Sequence, residues 1–124
     1  MGSKYDLFDL ASNSIFANTN NPLEVDEVIG FIRNRWGCTY QLILCVKGKS
    51  LYLQMMWGYI EQQSFPMSKG DYLESLALVI EVINRLGKNC AVRHWLSNVK
   101  GKPVLGRALT LYLKADARLE EFVL

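Results

Sequence analysis

The chain has 124 residues, of which 50% are hydrophobic and 21% charged, and its formal net charge is +2. That length suits one domain, and that balance excludes a disordered, collagen-like or proline-rich chain. Three cysteines are too few for a disulfide scaffold, and no segment approaches the roughly 18 apolar residues of a membrane-spanning helix.

Residues 1–20 are rich in Ser, Asn and Thr and hold no lasting period, so a flexible N-terminal arm is expected. Its apolar residues Tyr5, Leu7, Phe8, Leu10 and Phe16 are anchors for the domain or a partner. The start also lacks the continuous apolar core of a secretory signal. A single domain is expected over residues 21–124. Asn21 is placed to cap a first helix, with Pro22 in the first turn and Glu24 three residues after the cap. Val25, Val28, Ile29, Ile32 and Trp36 form its apolar stripe, and Gly37 stops it.

Tyr40 to Lys47 and Ser50 to Trp57 are rich in strand formers, and Gly48-Lys49 fits a two-residue turn between them. That turn sets Val46 opposite Leu51, Leu44 opposite Leu53, Leu42 opposite Met55 and Tyr40 opposite Trp57, so one face is wholly apolar. The other face pairs Cys45 with Tyr52, Ile43 with Gln54 and Gln41 with Met56. This mixed face is either partly covered or kept for a partner.

After a connection from Gly58 to Pro66, Ser68 caps a second helix with a stripe from Tyr72 through Leu76, Ile80 and Ile83 to Leu86, ended by Gly87. A third helix is expected from Cys90 to Val99, capped by Asn89, with Val92, Trp95, Leu96 and Val99 inward. Gly101, Pro103 and Gly106 mark a loop, and Arg107 to Leu113 a third strand. The tail ending Phe122-Val123-Leu124 is apolar enough to pack. The expected fold is α+β: a small antiparallel sheet, made of a β-hairpin and at least one further strand, with about three helices packed on one face.

The run LYLQMMWGYIEQQSFPMSKGDYLESL (residues 51–76), with FIRNRWGCTYQL (31–42) and KPVLGRALTLYL (102–113), resembles the family called domain of unknown function 3067. The resemblance spans about residues 22–124. It implies a setting in cyanobacteria or photosynthetic eukaryotes, near photosynthesis or the plastid, and it transfers no catalytic or binding residue.

The residues themselves point away from common cofactor chemistry. One histidine, His94, and cysteines at 38, 45 and 90 offer no zinc spacing, and no glycine-rich phosphate loop occurs. No metal or cofactor is therefore expected. Cys90 at the start of the third helix, with His94 four residues on and Lys88 and Arg93 nearby, is a candidate redox thiol, because a helix N-terminus and cations favour the thiolate. The plainer account is a small buried apolar residue. Carboxylates in the first turns of the first two helices are accounted for by the helix dipole.

Residues 82–115 carry seven Lys and Arg and no Asp or Glu. Lys88, Arg93, Lys100, Lys102 and Arg107 are candidate contacts for an acidic protein surface; otherwise they are a solvated face. Nucleic acid is the weaker option without a binding motif, and peripheral membrane contact stays open. Trp57, Tyr59 and Phe65, with Gln62 and Gln63 between, either close the core or line an amphipathic groove for a partner. The expectation is a non-enzymatic interaction module, an accessory, assembly or regulatory factor connected with photosynthesis. Its free thiols fit the cytoplasm, or the stroma in a plastid-bearing homologue. The alternatives are an enzyme or small-ligand binder with a pocket between sheet and helices, or a Cys90-based redox regulator.

Overall fold

A computed structural model describes residues 21–115. The arm expected over residues 1–20, with its anchors, and the tail at 122–124 lie outside the described residues. In chain order the elements are α1 (Val25–Trp36), β1 (Tyr40–Lys47), β2 (Ser50–Tyr59), α2 (Lys69–Arg85), α3 (Asn89–Asn98) and β3 (Leu109–Lys114). The three strands form one antiparallel sheet in the order β1-β2-β3, so the α+β class stands as expected.

Side-chain alternation explains the hairpin. Gly48 takes a φ of 60°, the left-handed backbone that a two-residue turn requires. The register then pairs Val46 with Leu51, Leu44 with Leu53 and Leu42 with Met55. Leu42, Leu51, Leu53 and Met55 are buried on the inward face, and Leu113 of β3 joins them. Val28 and Ile32 of α1, Tyr72, Leu76, Val79, Ile80 and Ile83 of α2, and Val92, Trp95 and Leu96 of α3 complete that core. Burial of this kind stabilises by about 25 cal/mol per Å² of apolar surface removed from water.

Four local expectations are corrected. The first helix starts three residues late and takes no cap from Asn21; Glu24 precedes it without a side-chain hydrogen bond. Leu23 explains the delay. Its N–H donates to Asn84 Oδ1 (2.8 Å) and its carbonyl accepts from Asn84 Nδ2 (3.0 Å), which ties the chain at Leu23 to α2 ahead of the helix. The third helix begins at Asn89, not after it, and Asn89 Nδ2 donates to the Asn21 carbonyl at 2.7 Å instead of capping. Tyr40 pairs with Tyr59, not Trp57, because β2 advances four residues while β1 advances two beyond the Leu42–Met55 pair. Lastly, Arg107 precedes β3 and belongs to an isolated bridge with Val104. By contrast, Ser68 caps α2 as expected, its Oγ accepting from the Asp71 N–H at 3.1 Å.

Candidate interaction site

The irregular end of the hairpin anchors the connection to α2. Thr39, just before β1, is only 3% exposed, and both its donors are taken by one side chain. Its N–H donates to Glu61 Oε1 (2.8 Å) and its Oγ1 donates to Glu61 Oε2 (2.7 Å). The Ile60 N–H donates to the Thr39 carbonyl at 3.0 Å, so the ladder continues past the last strand pair. Burial alone would raise the Glu61 carboxyl; the Thr39 hydrogen bonds, helped by Arg33 at 4.0 Å, hold it below its ordinary range. Two buried rings brace the same corner. Tyr40 meets Tyr59 edge-on at 5.9 Å, and Phe65 meets Tyr72 at 6.1 Å. The Tyr72 hydroxyl donates to the Tyr40 carbonyl at 2.9 Å, and burial raises its pKa far above that of a free phenol.

These contacts divide the aromatic group. Tyr59 and Phe65 pack against the core cluster, whereas Trp57 is half-buried outside it, and the side chains of Gln62 and Gln63 are exposed. Beside this corner lies a half-open cleft of about 590 Å³ between α1 and the start of α2. Ile29, Ile60, Met67 and Leu73 contribute its apolar lining, and Asp26, Arg33, Glu61 and Lys69 its charges. Thr39, Glu61 and Arg33 were not singled out from sequence. Glu61 did lie in the quoted signature, but Thr39 carries no local signal.

The outward face of the sheet bears Ile43, Cys45 and Lys47 from β1, Tyr52, Gln54 and Met56 from β2, and Thr110 and Tyr112 from β3. Ile43, Cys45, Tyr52 and Met56 are half-buried outside the core cluster, and Tyr112 is 53% exposed. Tyr52 and Tyr112 meet edge-on at 5.6 Å. Among the described residues the charged group of this face is the cation Lys47.

The cationic block is not one surface. Arg93 turns toward α1, where its Nε donates to Glu27 Oε2 at 2.6 Å and its Nη2 donates to the Pro22 carbonyl at 3.1 Å. Lys88 is the half-buried residue before α3, while Lys100, Lys102 and Arg107 are exposed around the loop that leads to β3. Cys90 and His94 do share a side of α3, lining a shallow depression with Trp95, Val99 and Leu111. The His94 ring lies 3.3 Å from Asn98 Nδ2. Among the described residues no group of His, Cys, Asp and Glu is placed to hold a metal ion, and no helix is long and apolar enough to cross a membrane.

Residues 26–123 match the family described as domain of unknown function (DUF3067). The solution NMR structure of the Alr2454 protein from Nostoc sp. strain PCC 7120 is similar, with a TM-score of 0.71 and 29% identity. That match covers 82% of this chain and 98% of the other. No curated protein is matched.

Proposed function

The chain belongs to the DUF3067 family, and we propose that it acts as a non-enzymatic interaction module whose outward sheet face binds an acidic surface of another protein. One observation carries this reading: the three described helices cover one side of the sheet, while the other presents Ile43, Tyr52, Met56 and Tyr112 with Lys47 and, among the described residues, no carboxylate. Aromatic and methionine side chains beside a cation suit a protein interface with an acidic surface. The cyanobacterial source of the similar structure fits an accessory, assembly or regulatory factor in the cytoplasm of a photosynthetic cell. The test is affinity purification with quantitative mass spectrometry, comparing wild type with Tyr112→Glu and Lys47→Glu. Both variants should lose the same partner and retain the wild-type melting temperature. Undiminished capture by both refutes the reading.

The cleft favours a second reading, a small-ligand binder, because its volume lies in the range of small-molecule sites and charges of both signs meet over an apolar lining. A zwitterionic metabolite that raises the melting temperature of wild type but not of an Arg33→Ala, Lys69→Ala variant would establish it.

A further inference from the structure

Leu105 is 85% exposed, the most exposed large hydrophobic residue described, and its neighbour Val104 is 43% exposed. Leu105 stands at the tip of a tight turn, and Val104 at the corner that leads into it. The Val104 N–H donates to the Arg107 carbonyl at 3.1 Å, and the Arg107 N–H donates to the Val104 carbonyl at 2.8 Å. Gly106 closes the turn with a φ of 82°. The base is anchored from two sides, since Pro103 is buried and Trp36 Nε1 donates to the Gly101 carbonyl at 2.9 Å. The tip is thus held outward by the fold itself. Exposing a leucine on a braced turn leaves unused the burial that usually places this residue inside.

Its surroundings specify the missing partner. Lys100, Lys102 and Arg107 flank the tip in sequence and are exposed. Arg35 adds a fourth cation at the base, its guanidinium 4.5 Å from the centre of the Trp36 ring. No Asp or Glu occurs between residues 82 and 115. An acidic protein would need a preformed pocket to accept a convex two-residue projection. A fluid bilayer needs none, since its interface opens around the side chains while anionic headgroups meet the cations.

We propose that the loop of residues 100–107 is a membrane-docking tip. Leu105 and Val104 enter the boundary between headgroups and acyl chains of an anionic bilayer, and Arg35, Lys100, Lys102 and Arg107 hold its headgroups. This surface is separate from the outward sheet face and does not depend on that face binding anything.

The full chain is sedimented with vesicles of equimolar phosphatidylglycerol and phosphatidylcholine, and with vesicles of phosphatidylcholine alone. Binding is expected to the anionic vesicles and to weaken with added salt. Leu105→Ser should lower the partition by about tenfold, and Lys102→Glu with Arg107→Glu by about tenfold or more. Tyr112→Glu should leave it unchanged. Because Leu105 is exposed, Leu105→Ser keeps the wild-type melting temperature and tests the apolar part without unfolding. Absence of binding to the anionic vesicles overturns the proposal, and so does equal binding by wild type and Leu105→Ser. Loss of a protein partner on Leu105→Ser, without vesicle binding by wild type, assigns the tip to a protein and overturns it too.

Discussion

Replacing Glu61 tests whether one carboxylate holds the connection between sheet and α2. In Glu61→Gln the amide oxygen accepts from one Thr39 donor, and the second charge-assisted bond is lost. A hydrogen bond to a charged group is worth about 1.5 kcal/mol or somewhat more. In Glu61→Ala both donors of Thr39, itself 3% exposed, lose their acceptor, and the loss rises to about 3 kcal/mol. Arg33 adds little, because its side chain is 61% exposed and solvent screens the 4.0 Å contact. For a domain of this size about 1.5 kcal/mol lowers Tm by about 6–12 °C. The pH dependence identifies the cause. The native carboxyl is held below its unfolded value of 4.5, so its stabilisation is present above that pH and fades as the pH falls through the native value. Thermal melts followed by circular dichroism should therefore show the full gap between wild type and Glu61→Gln at neutral pH, closing as the pH falls below 4.5. A gap of equal size in acid and at neutrality would refute the assignment to a charged acceptor.

Arg93 and Lys100 should separate in urea denaturation. Arg93→Ala breaks the ion pair with Glu27, whose side chains are 16% and 32% exposed, and should cost about 2 kcal/mol. Lys100→Glu should change stability by less than about 0.5 kcal/mol. Tyr72→Phe leaves the Tyr40 carbonyl without its buried donor, at a cost of about 1.5 kcal/mol. The Tyr72 phenol has a raised pKa in the folded state, so its contribution is complete below its unfolded value of 10.0 and is lost as the pH climbs beyond it. Alkaline melts should accordingly fall more steeply for wild type than for Tyr72→Phe.

Periodicity made most of the fold legible. The apolar stripes of α1 and α2 and the alternation along the hairpin identify the elements, and the turn at Gly48 fixes the observed register of β1 from Lys47 back to Leu42, six of its eight residues. Beyond that point, long-range contacts take over. The Tyr40–Tyr59 ring pair and the Thr39–Glu61 bonds draw the end of β2 past regular register, and neither has a sequence signature. The start of α1 is decided by Asn84, 61 residues away from Leu23. The positive block was legible as composition, but sequence did not reveal that Arg93 faces Glu27 while Lys100, Lys102 and Arg107 face solvent around a projecting leucine.

That division bears on the stretch from Trp57 to Ser68, which lies within the run that resembles the family. Tyr59 meets Tyr40 edge-on, Glu61 holds Thr39, Phe65 meets Tyr72 edge-on, and Ser68 caps α2. Each therefore has a complete architectural reason to be the residue it is. Among the described residues Trp57, Gln62 and Gln63 have none of comparable weight: the indole sits outside the core cluster, and the two amide side chains are exposed. A tryptophan left half-open at the sheet's end surrenders much of the burial that makes it valuable inside a protein. Any binding role of this stretch therefore falls to Trp57, Gln62 and Gln63, with the other four serving as the scaffold that fixes their positions.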